Sequence, residues 1–89
     1  GTQLKIVRLS NRWEVAFHQA LRRDSKGEVL EFDLDPRQVE TFSSECGSVV
    51  QSQLDKGHRF AIICSGEIRP FVRMVVERLF PTLSVLSHN

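Results

Sequence analysis

A chain of 89 residues can bury one hydrophobic core of about three or four packed elements, so a single domain spanning residues 1–89 is expected. Twelve basic side chains against eleven acidic ones leave no basic footprint of the kind a dedicated nucleic-acid binder carries. No apolar stretch approaches the roughly 20 residues a membrane helix needs, and no charged-then-apolar signal pattern opens the chain, so these residues read as soluble and without membrane contact. Gly1 followed by polar Thr2 and Gln3, with no initiator Met, reads as a piece cut from a longer protein. The two cysteines, Cys46 and Cys64, make no disulfide framework and fit a reducing, cytosolic setting.

In chain order, Leu4 to Leu9 mixes apolar and basic residues in near alternation, which suits a strand with one buried face. Trp13, Ala16, Phe17, Ala20 and Leu21 then recur at the spacing of one helical face. Asn11 is the expected cap of that helix, with Glu14 completing a capping box and Arg22 and Arg23 at its negative end. Asp24 to Glu28 reads as a polar turn. Leu30, Phe32 and Leu34 alternate with Glu31, Asp33 and Asp35, the pattern of a half-exposed strand near a sheet edge.

Asp35-Pro36 opens the longest predicted helix, Asp35 as cap and Pro36 at the first helical position. Val39, Phe42, Cys46, Val49, Val50 and Gln53 trace its inner stripe with Leu54 alongside, and Gly57 stops it. Phe60 to Cys64 is a continuous apolar run of strand length, expected to be a central strand covered on both faces. Ser65 and Gly66 form a tight exit, with Ser65 as a helix cap. Ile68, Phe71, Val72, Val75 and Leu79 form the stripe of a third helix ended by Pro81, and Leu83 to Leu86 offers a last short strand. The order β-α-β-α-β-α-β predicts a small α/β sandwich, its sheet mainly parallel, with a half-exposed edge strand and helices on the sheet faces.

The sharpest chemical candidate is Cys64, where a buried strand ends and a short loop leads to a helix N-terminus. Loop N–H groups and the helix dipole can favour a thiolate there. Cysteine phosphatases and sulfurtransferases use such a loop, with about five intervening residues before an arginine that closes it around an anion. Here only Ser65, Gly66, Glu67 and Ile68 separate Cys64 from Arg69, and Glu67 puts a negative charge into the cradle. A buried, inert cysteine is the expectation, and the cysteine-loop enzyme is kept as an alternative.

His18, His58 and His88 are scattered over a helix flank, a turn and the tail, with no i, i+4 pairing or nearby acidic partner of the kind zinc or base chemistry needs, so no metal is predicted. Isolated Gly47, Gly57 and Gly66 make no phosphate loop, and Ser65 lacks the frame of a hydrolase nucleophile, so no cofactor and no catalytic residue is assigned. Trp13 lies on an apolar stripe and reads as core. Arg69, Arg73 and Arg78 give the third helix a basic outer flank, with Glu77 spaced to pair with Arg73. Arg69, Arg73 and Glu77 are therefore the candidate interaction surface for an acidic partner or a neighbouring subunit, against the plainer reading of a solvated face. A generic α/β interaction domain is the second alternative.

The segment from Phe60 to Asn89, FAIICSGEIRPFVRMVVERLFPTLSVLSHN, resembles the C-terminal signature region of the export-gate family shared by flagellar and virulence type III secretion systems, the FlhA/InvA/SctV-type or FHIPEP proteins. The likeness rests on Cys64-Ser65 at a strand end, Ile68-Arg69, a helix carrying Arg73 and Glu77-Arg78, Phe80-Pro81, and Val85-Leu86-Ser87. Leu34-Asp35-Pro36 before a long helix and the opening strand-helix pair extend it over nearly the whole chain. The family continues past this point with a Glu-Ile or similar pair and a tail, where this sequence ends at Asn89, so no role is assigned to such a tail.

The resemblance implies a parent with an N-terminal membrane half in the bacterial inner membrane and a cytoplasmic half that assembles with copies of itself into a ring. This chain is similar to the last subdomain of that half. Its implied partners are export-apparatus components and chaperone–substrate complexes, and its implied work is mechanical, without catalysis. The family's best-known chaperone groove belongs to earlier subdomains and carries over to no residue here. Alone, the fragment is expected to be monomeric.

Overall fold

The computed structural model describes residues 4–88, in the order β1 (Leu4–Arg8), α1 (Asn11–Gln19), β2 (Leu21–Arg23), β3 (Val29–Phe32), α2 (Pro36–Asp55), β4 (Arg59–Cys64), α3 (Arg69–Leu79) and β5 (Ser84–Ser87). The class is mixed α/β with a mainly parallel sheet, as the pattern predicts. β4 lies at the centre of a three-stranded sheet ordered β1-β4-β5, parallel to both neighbours, with Ile62 opposite Val7 on one side and Val85 on the other. β2 and β3 form a separate antiparallel ribbon.

That ribbon is the largest departure from expectation. Ala20 and Leu21 fit the helical spacing, yet α1 ends at Gln19 and Leu21–Arg23 pairs with β3, Leu21 opposite Phe32. Arg22 and Arg23 are therefore strand residues and not helix-terminal charges. The half-exposed strand exists, but its edge is that of the ribbon. Tertiary pairing outweighs helix propensity here, since ending the helix lets the Ala20 carbonyl accept from the Asp33 N–H at 2.8 Å. The turn 24–28 is held by Asp24, whose Oδ1 accepts from the N–H groups of Lys26 and Glu28, with Gly27 at φ 83°.

The cap of α1 also moves by one residue. Ser10, with extended backbone, accepts from the Trp13 N–H at 3.4 Å, so Asn11 is already helical and Glu14 is released from a capping box. At α2 the expectation holds. Asp35 accepts from the Arg37 N–H at 2.8 Å, Pro36 occupies the first position, and Gly57 follows the C-terminus at φ 75°. His58 completes that end, its N–H donating to the Gln53 carbonyl and its Nδ1 lying 2.9 Å from Gln53 Oε1.

The core lies on the sheet face that carries Ile62, Cys64 and Val85. Strand alternation sends Ala61 and Ile63 to the opposite face, beside Ile6 and Leu86, which are 55% and 37% exposed. The run Phe60 to Cys64 is thus central but covered by helices on one face only. β1 likewise leaves Leu4 and Ile6 exposed, and the stripes of α2 and α3 run past the core at Leu54 and Leu79.

One aromatic series joins the helices to the ribbon. Trp13 meets Phe42 edge-on at 5.1 Å, Phe42 meets Phe17 at 5.2 Å, Phe17 stacks on Phe32 at 5.5 Å, and Phe32 stacks on Phe71 at 5.0 Å. Phe17 at its centre is fully buried. Each such pair adds about 0.5–1.5 kcal/mol beyond the burial of area. Trp13 is core, as predicted, with its indole Nε1 donating to Glu45 Oε2 at 2.9 Å.

Candidate interaction surface

The buried stripe of α3 is Val72, Val75 and Val76, preceded by Ile68. This orientation leaves Arg69, Arg73 and Glu77, each four residues apart, on one flank of the helix. Together with residues 81–86 they line an open groove of about 290 Å³. The opposite wall, supplied by the turn after Pro81 and by β5, is what sequence reasoning missed. Pro81 marks a helix end, but nothing in the sequence says where the returning strand lies.

Arg69 is half-buried, and its Nε donates to the Val85 carbonyl at 2.8 Å. Arg73 and Glu77 are exposed, and among the described residues they form no ion pair with each other, contrary to their i, i+4 spacing. The two arginines likewise have no carboxylate partner among the described residues.

The loop after β4 is different in kind. Cys64 is fully buried, and its thiol pKa is pushed up to about 11, first by burial and then by the Glu14 charge, with Arg69 opposing. Burial raises the Cys46 thiol as well. Cys64 is therefore a neutral thiol at physiological pH, the reverse of a phosphatase nucleophile. The Ser65 N–H, which would line an anion cradle, instead donates to Glu14 Oε2 at 2.9 Å. Ser65 does not cap α3. Its side chain lies 3.4 Å from His18 Nε2, while its carbonyl accepts from the N–H groups of Ile68 and Arg69, and α3 starts at Arg69-Pro70 without a side-chain cap.

His18 has the acidic partners that the sequence did not show. Its Nε2 is 3.8 Å from Glu14 and its Nδ1 is 3.8 Å from Glu67, which also pairs with Arg23. Glu14 lies one helical turn before His18, so half of this contact was legible as an i, i+4 pair. The cluster ties α1, the ribbon and the β4–α3 loop together. Among the described residues, no group of three or more His, Cys, Asp or Glu could hold a metal ion.

The chain is thus a small α/β module with a neutral thiol at Cys64, a Ser65 N–H held by its own Glu14 carboxylate, and an open groove beside the charged flank of α3. The chain belongs to the FHIPEP family, whose model matches residues 1–89, the export-gate family that its closing segment resembles. It is 29% identical over 86 residues to the flagellar biosynthesis protein FlhA of Bacillus subtilis (strain 168), covering 97% of this chain and 12% of that protein. The Shigella flexneri MxiA structure matches with TM-score 0.69 and 20% identity over 99% of this chain and 26% of its own. The C-terminal domain of InvA matches with TM-score 0.64 and 25% identity over 98% of this chain and 26% of its own. The nonameric SctV-C of EPEC gives TM-score 0.69 and 21% identity over 98% and 25%. The chain thus spans about an eighth of the curated relative and about a quarter of the solved chains.

Proposed function

We propose that this chain is the last subdomain of the cytoplasmic part of a bacterial type III protein export gate, and that it works by contact and not by catalysis. The observation that carries this reading is the family match along the whole chain, from residue 1 to residue 89. SctV-C is nonameric, and we extend ring assembly from that relative to the parent of this chain. The parent is then an inner-membrane protein whose cytoplasmic half forms the ring. Among the described residues of this subdomain, no helix is long and apolar enough to cross a membrane.

The flank of α3 carrying Arg69, Arg73 and Glu77 is the surface we assign to contacts within the ring or with export partners. Two arginines beside a groove, with no carboxylate partner among the described residues, supply what a docking surface needs, because a guanidinium binds a carboxylate in a fixed two-pronged geometry. The neutral state of Cys64 supports the non-enzymatic reading over the cysteine-loop alternative.

Charge reversal tests the assignment in the full-length parent. Arg69→Glu with Arg73→Glu is expected to lower secretion while the purified domain keeps its fold by circular dichroism. Unchanged secretion removes this flank from the reading.

A further inference from the structure

We propose that the uncovered face of the sheet β1-β4-β5 seats an amphipathic helix from the part of the parent that precedes residue 1. This rests on the reading of the chain as the last subdomain of a longer cytoplasmic part, and goes beyond it by naming the surface that joins the two.

The strand order β1-β4-β5 advances in one direction, and both connections between its parallel strands run through helices. Right-handed crossovers that keep one direction set all their helices on one face, and a doubly wound sheet covers its second face only by reversing the strand order. Residues 4–88 contain no reversal. Their three helices therefore share the core with Ile62, Cys64 and Val85, and a helix for the other face has to come from outside these residues. Parallel sheets are found almost only with both faces covered, and their strands are then apolar on both sides. β4 has that composition, with Ile62 and Cys64 on the core face and Ala61 and Ile63 on the other.

The register carries this apolar surface across all three strands. Ile6 lies opposite Ala61, and Ile63 lies opposite Leu86, with Leu4 two positions before Ile6. Leu4 and Ile6 are 56% and 55% exposed, on positions that carry polar side chains where a sheet face meets water. Charge sits only at the two ends of the face. Arg59 is opposite Leu4 at one end and Arg8 is opposite Ile63 at the other, both exposed and with no carboxylate partner among the described residues. The complementary helix has an apolar stripe and an acidic side chain towards each end.

The occupant follows from where the rest of the parent lies. This chain spans about a quarter of the solved relatives' chains, and in the reading above the remainder is upstream. β1 is the first element and an edge strand, so a segment entering at Leu4 arrives on the rim of the uncovered face, beside Arg59. Strands of five and six residues are about 17–20 Å long, which a helix of about 11–13 residues spans. A covalently joined segment also meets the face at a high effective concentration, an advantage that a second copy or a separate partner lacks. Held by its sheet in this way, the module turns its helical layer away from the joint and leaves the flank of α3 open to other contacts.

The test introduces a thiol on the face by Ile6→Cys, with Leu86→Cys as an independent second site; the native Cys46 and Cys64 are buried. Iodoacetamide labelling at neutral pH is timed in the 89-residue chain and in the purified full-length parent, with urea-unfolded samples as the reference rate. Both introduced thiols are expected to react about tenfold or more slowly in the parent than in the 89-residue chain. A photo-crosslinking residue at position 6 then locates the occupant by mass spectrometry, in parents mixed from isotope-labelled and unlabelled copies so that contacts within and between copies are told apart. Cross-links within one copy to residues preceding residue 1 support the proposal. Equal labelling rates, or cross-links to residues after Asn89, to another copy or to another protein, overturn it. If the face is open in the parent while the double charge reversal still lowers secretion, the functional reading stands and this joint does not. If the upstream helix covers the face while that variant secretes normally, the joint stands and the α3 flank loses its role.

Discussion

The loop after β4 and the flank of α3 are neighbours in sequence, and they handle charge in opposite ways. In the loop every charge has an internal answer. Glu14 receives the Ser65 N–H, His18 lies between Glu14 and Glu67, and Glu67 pairs with Arg23. On the flank, Arg69 gives one N–H to a carbonyl, while Arg73 and Glu77 have no ion-pair partner among the described residues. The difference teaches that the residue pattern most suggestive of chemistry serves structure here. The surface proposed for docking is the one where charged side chains have no ion-pair partner among the described residues.

The largest perturbation breaks the base that both regions share. Phe17 is fully buried at the centre of the aromatic series that reaches α3 through Phe32 and Phe71. Phe17→Ala is expected to destabilise the domain by about 3–5 kcal/mol in urea unfolding. A loss under about 1 kcal/mol means that the series is not what holds the ribbon to the helices.

Next comes the loop alone. Glu14→Ala leaves the Ser65 N–H without its acceptor and His18 with Glu67 as its remaining carboxylate, and is expected to cost about 1–3 kcal/mol. It also removes one of the influences that raise the Cys64 thiol, so alkylation after the substitution should become faster at a given pH. In the unaltered chain Cys64 should resist alkylation at neutral pH and react readily only as the pH nears about 11. Rapid labelling at neutral pH that inorganic phosphate blocks restores the cysteine-loop enzyme.

The same thiol gives a pH dependence of stability. Its pKa is raised from 9.0 to about 11 by folding, so between those values the native state keeps a proton that the unfolded state has lost. Stability is then fully present below about 9 and falls as pH rises through about 11. Comparing Cys64→Ala with the unaltered chain over that range isolates the contribution. Equal slopes contradict the raised pKa.

The smallest expected effect on folding sharpens the comparison from the other side. Arg73→Glu touches an exposed side chain with no ion-pair partner among the described residues, so unfolding should shift by no more than about 0.5 kcal/mol. A loss as large as that of Glu14→Ala shows that the flank is structural after all.

Much of this was legible in the sequence where the determinants are local. Asp35-Pro36 and Gly57 bound α2 because capping, a fixed proline φ and a positive glycine φ act within a few residues. The spacing of Arg69, Arg73 and Glu77 likewise placed them on one flank. What the sequence hid depends on distant partners. β2 continues the helical spacing of Trp13 to Ala20 and becomes a strand only because Phe32 and Glu31 lie opposite it. Glu14 looked like a capping residue until Ser65, 51 positions away, proved to be its partner. Ile63 looked like core because a continuous apolar run does not reveal which face a helix covers. The second wall of the groove was illegible for the same reason, since it depends on how β5 packs beside α3.

The most direct measurement compares the two regions in one assay. Full-length parents carrying either Cys64→Ala or Arg69→Glu with Arg73→Glu are to be scored for secretion alongside the unaltered protein, with ring assembly checked in each. The account predicts that the cysteine variant secretes near the unaltered level and that the arginine variant falls well below it. Loss of secretion with Cys64→Ala in a folded, assembled protein, together with normal secretion by the arginine variant, contradicts it.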